Sequence, residues 1–236
     1  MDDYDSLKPI LAQDGASVDW LCLTDSKRIR DEAEFHTERL ADEGAYVQGL
    51  KHPTGWHIIY YARGADEHPN RAAKRPKMHP GMYTGAGASV WLDASFQVVS
   101  PRFVVDTVTA AAESEHGIAQ FKHPWRDCLY AEASESMALP KYADEVPAIV
   151  RQIGDYSSGH MPNNWGLWAT GIIARVHTRP VLDWGRMWGK QIDAYSYQDQ
   201  ISHPYALWRA GLRPVSLPGD HFNNPWVAYQ GSARHG

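Results

Sequence analysis

The chain has 236 residues, 43% apolar and 22% charged, an ordinary globular composition that excludes global disorder. Its formal net charge is −5 with histidine counted neutral, and no basic block exceeds Arg71-Ala72-Ala73-Lys74-Arg75-Pro76-Lys77. That pattern argues against general nucleic-acid binding and leaves room for a local anion site.

No basic and apolar leader follows Met1, and no apolar run is long enough to cross a bilayer, so a cytoplasmic protein without a membrane span is expected. Length favours a single domain over residues 1–236. Cys22 and Cys128 lack metal-ligand spacing; Cys22, inside Trp20-Leu21-Cys22-Leu23, reads as a buried thiol and a disulfide scaffold is not expected.

In chain order, residues 18–24 read as a buried strand ending at Thr24-Asp25, and residues 56–61 as a second. Residues 88–93 form a third, turning through Asp93-Ala94-Ser95 into the apolar run 96–99. Ser100-Pro101 is a good N-cap and first-turn pair for a helix from Arg102 to about Glu113. Val146, Ile149, Val150 and Ile153 recur at helical spacing up to Gly154. Residues 171–176 read as a strand, 205–209 as a short helix stopped near Gly211, and 214–217 as a last strand. Strands interspersed with helices predict an α/β fold with a mixed central sheet flanked by helices. Ten Trp and twelve Tyr against five Phe favour rings that pack on a face and hydrogen-bond at an edge, which suits a core and also carbohydrate.

Three places carry candidate chemistry. Trp91-Leu92-Asp93-Ala94-Ser95 delivers a carboxylate to the end of a strand with a second oxygen two residues on. One or two such groups can hold a divalent ion that keeps positions open for diphosphate oxygens. The plain alternative is an Asp that caps a turn. Gly219-Asp220-His221-Phe222-Asn223-Asn224-Pro225-Trp226 offers an imidazole to complete a metal shell, although a loop His is commonly just solvated. Tyr197-Gln198-Asp199-Gln200-Ile201-Ser202, just ahead of a helix, sets a carboxylate beside an amide that can hold sugar hydroxyls or stabilise positive charge at an anomeric carbon. Its alternative is Asp199 or Ser202 as an N-cap.

Taken in order, the motifs resemble those of the plant mucilage-related hexosyltransferase family and its bacterial relatives, formerly a domain of unknown function. The resemblance is carried by Tyr4-Asp5-Ser6-Leu7-Lys8-Pro9, Leu21-Cys22-Leu23-Thr24-Asp25, Lys74-Arg75-Pro76-Lys77-Met78-His79-Pro80, Ser89-Val90-Trp91-Leu92-Asp93 and Asp199-Gln200-Ile201-Ser202. The stretch from Phe121 to Ala133 is similar to the bacterial members, so the likeness covers nearly the whole chain.

The resemblance implies a GT-A-like nucleotide-diphospho-sugar transferase fold and transfer of a hexose to an acceptor hydroxyl, with Mn²⁺ or Mg²⁺ and a nucleotide-diphosphate sugar as donor. The acceptor is a glycan, a protein or a small molecule. Asp93 stands where the family's Asp-x-Asp metal motif has its first acid, and Ser95 stands for the second, which shifts weight onto His221. The His221 loop is similar to the His-x-x-x-x-Pro-Trp loop of retaining GT-A enzymes, which implies retention. The family carries a strand ahead of its Tyr-Asp-x-Leu-Lys turn, whereas this sequence starts at that turn, so the first strand of the fold is expected to be missing.

On these grounds the metal is assigned to Asp93 and His221, with Ser95 a minor ligand, and the nucleoside end of the donor to Thr24 and Asp25. Lys77, with Arg75 and His79, faces the diphosphate as a point charge that stabilises the leaving group. Asp199 and Gln200 sit at the transferred sugar, and His123, Arg126 and Glu132 line the acceptor side or form an internal polar network. Two other classes stay open: a metal-dependent hydrolase, which needs no nucleotide, and a non-catalytic glycan-binding module on the same fold.

Overall fold

The computed structural model describes residues 7–39 and 46–231. Tyr4, Asp5 and Ser6 of the opening motif lie outside the described residues.

The elements run β1 (Leu21–Thr24), α1 (Lys27–Asp31), β2 (Glu34–Arg39), β3 (Tyr46–Lys51), β4 (His57–Tyr60), α2 (Pro69–Met78), β5 (Ala88–Leu92), β6 (Phe96–Val98), α3 (Phe103–Glu113), β7 (Ile118–Lys122), α4 (Leu129–Ala138), α5 (Val146–Ser158), β8 (Trp168–Val176), α6 (Arg179–Ala194), α7 (Asp199–Ala210), β9 (Val215–Leu217) and β10 (Val227–Tyr229). They fall into two compact units. One takes Met1–Ala73, Ala94–Val105 and Pro225–Gly236; the other takes Lys74–Asp93 and Asp106–Asn224.

In the first unit the sheet order is β1-β4-β3-β2, with β1 parallel to β4 and the other pairs antiparallel. Trp20 meets Trp56 edge to face at 5.1 Å, and the Trp56 indole donates to the Lys8 carbonyl at 2.7 Å. A separate antiparallel pair joins β6 to β10, with Val98 opposite Val227. Cys22 is half-buried with its thiol pushed up to about 11 by burial.

The second unit has the order β5-β8-β7-β9, antiparallel except for β7 with β9. β8 is the long central strand, and Ile172, Ile173 and Ala174 within it are fully buried. Helix α6 follows from Pro180 in its first turn and from Val181, Trp184, Trp188 and Ile192, which recur at helical spacing and are all buried. Trp184 and Trp188 stack at 5.5 Å, and the fully buried His203 of α7 meets both edge to face. Gly185 and Gly189 open the same helix to close neighbours: a Cβ on Gly185 would collide with the Met78 carbonyl, and one on Gly189 would stand 2.7 Å from His79 Nε2.

The structure moves several predicted boundaries. The helix read up to Gly154 continues to Ser158, because Tyr156 is buried and stacks on Tyr205 at 3.7 Å, outweighing the glycine's modest helix penalty. The strand read from 171 begins at Trp168. The short helix read over 205–209 starts at Asp199, so Asp199-Gln200-Ile201-Ser202 forms its first turn and Gln198 holds the N-cap position; Pro204 sits inside it.

Candidate functional site

The polar residues of the second unit gather where three backbone features end. Strand β5 closes at Leu92, and the Asp93 amide extends its ladder by donating to the Gly171 carbonyl at 2.8 Å. Helix α2 delivers Lys74 and Lys77 three residues apart on one face. Helix α7 starts with Asp199.

These four side chains form one ionic cluster. Lys77 Nζ lies 2.8 Å from Asp199 Oδ2 and 3.1 Å from Asp93 Oδ1, and Lys74 Nζ lies 2.7 Å from Asp199 Oδ1. The Lys77 and Asp199 side chains are only 4% and 6% exposed, whereas Asp93 is 38% exposed. Burial works against the Lys77 ammonium, but the Asp199 and Asp93 carboxylates overcome it and raise its pKa. Burial likewise works to raise the Asp199 pKa, and the Lys74 and Lys77 ammonium groups outweigh it, holding the carboxyl well below the usual range. Asp93 also accepts from the Trp91 indole at 2.5 Å, and Lys77 lies 5.5 Å from the centre of that ring.

A second polar cluster adjoins through Gln198, which immediately precedes Asp199. Its Nε2 donates to Ser136 Oγ at 3.1 Å and reaches Glu132 Oε1 at 3.5 Å. Glu132, buried in the first turn of α4, accepts from Arg126 Nε at 2.6 Å. Burial raises its pKa, with Arg126 opposing. His123 Nδ1 accepts from the backbone amides of Trp125 and Arg126 at 3.4 and 3.2 Å, so the neutral ring carries its proton on Nε2, 3.6 Å from Glu132 Oε2. Burial, then the charges of Arg126 and His221, push His123 down to about 4. His221 is pushed down by burial, with Asp220 and Asp93 opposing. Ring contacts bring the His221 loop beside the His123 segment: His123 to Trp125 at 5.7 Å, Trp125 to Phe222 at 5.5 Å and Phe222 to His221 at 4.0 Å between centres.

Lys77, Asp93, Asp199, His123, Arg126, Glu132 and His221 are thus assembled in one region. Gln200 instead ties α7 to the backbone of β8, its Nε2 donating to the Trp168 carbonyl at 2.5 Å and its Oε1 accepting from the Thr170 amide at 3.1 Å. His79 turns to α6 against Gly189; burial lowers its pKa, Asp193 opposes, and Arg186, Arg175 and the exposed Arg75 add to the fall. Thr24, Asp25 and Ser95 belong to the first unit. There Thr24 Oγ1 accepts from the Ser26 amide at 3.0 Å, Asp25 pairs with Arg63 at 3.0 Å, and the Ser95 carbonyl accepts from the Gln230 amide at 2.6 Å. Sequence reasoning missed Lys74 and Gln198 as site residues. The Lys74/Lys77 spacing would have found the first only once α2 was recognised as a helix, and Pro76 within it hides that helix.

As to metal, the Asp93 side chain is 38% exposed and its charge acts on His221, and among the described residues no group of three or more His, Cys, Asp and Glu side chains converges as a cation site. A divalent ion here would have Asp93 as its carboxylate ligand and would depend on substrate phosphate oxygens to complete its shell.

Helices beside mixed sheets, with a carboxylate at the end of β5, define a GT-A-like, glycosyltransferase-like α/β protein. The chain belongs to the TOD1/MUCI70 glycosyltransferase-like domain family, whose model matches residues 28–218. No curated protein and no solved structure matches it. Among the described residues no helix is long and apolar enough to cross a membrane.

Proposed function

We propose that the chain transfers a hexose from a nucleotide-diphosphate sugar to an acceptor hydroxyl, with Mn²⁺ or Mg²⁺ and with retention of configuration. The observation that carries this reading is the Lys77 ammonium fixed between Asp93 and Asp199 at the end of β5. A cation oriented in advance, in a place from which water is largely excluded, stabilises negative charge developing on a leaving diphosphate at little cost in reorganisation. Asp93 and His221 would hold the ion, which supplies Lewis-acid stabilisation of the same charge. Asp199 keeps Lys77 charged and aimed. Gln200 acts through β8, as a positioning residue for Asp199 beside it. His123, Arg126 and Glu132 form the acceptor side, where a neutral imidazole and a carboxyl of raised pKa can exchange a proton with an acceptor hydroxyl. Retention rests on the similarity of the His221 loop to that of retaining enzymes.

A non-catalytic glycan-binding module is the second reading, favoured by the mutual pairing of Lys74, Lys77, Asp93 and Asp199, a closed set of charges. Calorimetric titration of UDP and GDP, with Mn²⁺ and with chelator, into wild type and Asp93→Ala separates the two. Metal-dependent binding that is lost in the variant supports the transferase. A folded wild type that binds neither nucleotide removes that reading and leaves the module.

A further inference from the structure

Trp125 and Phe222 are 68% and 43% exposed, although an exposed Trp on an ordered segment forgoes the burial that most indoles obtain. Their rings lie 5.5 Å apart at 32°, forming one continuous aromatic surface. Each is braced by a histidine of the candidate site: His123 meets Trp125 edge to face at 5.7 Å, and His221 meets Phe222 the same way at 4.0 Å. The Arg126 guanidinium stands 6.0 Å from the Trp125 ring centre.

Local hydrogen bonds fix both segments. The Trp125 and Arg126 amides donate to His123 Nδ1, and Asp220 Oδ1 accepts from the Phe222 and Asn223 amides at 2.7 and 3.0 Å. Gly219, at φ +79°, lets the second loop close: a Cβ there would collide with the Asn223 carbonyl. The rings are therefore ordered before any ligand arrives, which lowers the entropy cost of binding.

We propose that Trp125 and Phe222 form a stacking platform for a pyranose ring of the acceptor, with Arg126 at its rim. The identification of this ligand as the acceptor rests on the transferase reading; the binding of a sugar ring does not. The negative faces of the two rings attract the polarised C–H groups of a sugar. Arg126, whose Nε is committed to Glu132, has further N–H groups for hydroxyls. Size favours a sugar over a protein partner. Two aromatic side chains bring about 150–250 Å² each, well under the roughly 1,000 Å² that a specific protein interface needs.

The proposal is tested by calorimetric titration of neutral tetrasaccharides, α- and β-linked hexose and pentose series, into wild type, Trp125→Ala and Trp125→Phe, with no nucleotide or metal. The expected result is binding of at least one series, weakened about tenfold or more in Trp125→Ala, equivalent to about 1.4 kcal/mol, and partly kept in Trp125→Phe. Circular dichroism and an unchanged melting midpoint establish that the alanine variant is folded, as an exposed position predicts. A wild type that binds no series at millimolar concentration, or binding unchanged in Trp125→Ala, overturns the platform. A concentration-dependent dimer abolished by Trp125→Ala without sugar binding also overturns it, in favour of contact between copies. A folded wild type that binds a sugar series here but neither UDP nor GDP in the separate nucleotide titration would remove the transferase reading and leave the platform standing.

Discussion

Replacing Asp199 with alanine removes the carboxylate that meets Lys74 at 2.7 Å and Lys77 at 2.8 Å. Breaking a buried pair from one side costs about 3–5 kcal/mol because the other charge stays buried. Here Lys77, 4% exposed, keeps Asp93 at 3.1 Å, and Lys74, 20% exposed, can turn to water. The expectation therefore sits at the lower end, about 3 kcal/mol. Urea denaturation at pH 7 should show the midpoint falling by about 1–3 M at unchanged slope. The pH dependence has a definite sign. Asp199 has its folded pKa below the unfolded value of about 3.9, so its contribution is present above that value and is lost as pH falls through the folded one. Lys77 has its folded pKa above the unfolded value of about 10.4, so its contribution is complete below that and is lost as pH rises through the folded one. The difference between wild type and Asp199→Ala should shrink at both extremes. A variant within about 1 kcal/mol of wild type at pH 7 would refute the reasoning that this cluster is a strongly coupled buried one.

Gly185→Ala, which drives a Cβ into the Met78 carbonyl, should destabilise by about 1–3 kcal/mol and lower the melting midpoint by several degrees. Gly154→Ala, at an exposed helix position with nothing within 4 Å of the new Cβ, should instead stabilise by up to about 1 kcal/mol in the same melt. Gln200→Ala leaves the Trp168 carbonyl and the Thr170 amide without their buried partner, costing about 2–4 kcal/mol, and hydrogen exchange at Thr170 should rise. His203, held down to about 3 by burial and bonded through Nε2 to Gln120 Oε1 at 3.0 Å, stabilises the fold above its unfolded pKa of about 6.5. That contribution is lost as pH falls towards 3, so His203→Gln should flatten the acid limb of a midpoint-against-pH profile.

The strands that end at Thr24, Leu92 and Leu217 were legible because each is a short apolar run closed by turn residues. Helix α6 was equally legible in principle, from Pro180 and the spacing of Val181, Trp184, Trp188 and Ile192, yet its indoles invite a carbohydrate reading that the core claims instead. Helices α2 and α7 were obscured by Pro76 and Pro204, residues whose local preference is against helix and which packing overrides. Asp93, Lys77 and Asp199 each stood out one at a time; their mutual pairing could not, because contacts across 122 residues leave no periodic trace in one sequence. Nor could the hydrogen bonds that distinguish Gln200, tied to the backbone of β8, from Asp199 beside it, held by two lysines.

The charges around Lys77 also bear on how a donor could enter. Lys74 and Lys77 offset Asp93 and Asp199, so the cluster is close to neutral as it stands. A diphosphate beside Asp93 adds negative charge next to a carboxylate, which is unfavourable unless positive charge accompanies it. The Lys77 charge is already offset by the two acids, so the additional positive charge that a bound diphosphate needs beside it would come from a divalent ion at Asp93 and His221, or from Lys74 released from Asp199. Release of Lys74 would weaken the hold on Asp199 and loosen α7 where the site needs it rigid. An ion would keep the cluster intact, and on that ground the proposed reaction is taken in its metal-dependent form, which the chelator arm of the nucleotide titration tests.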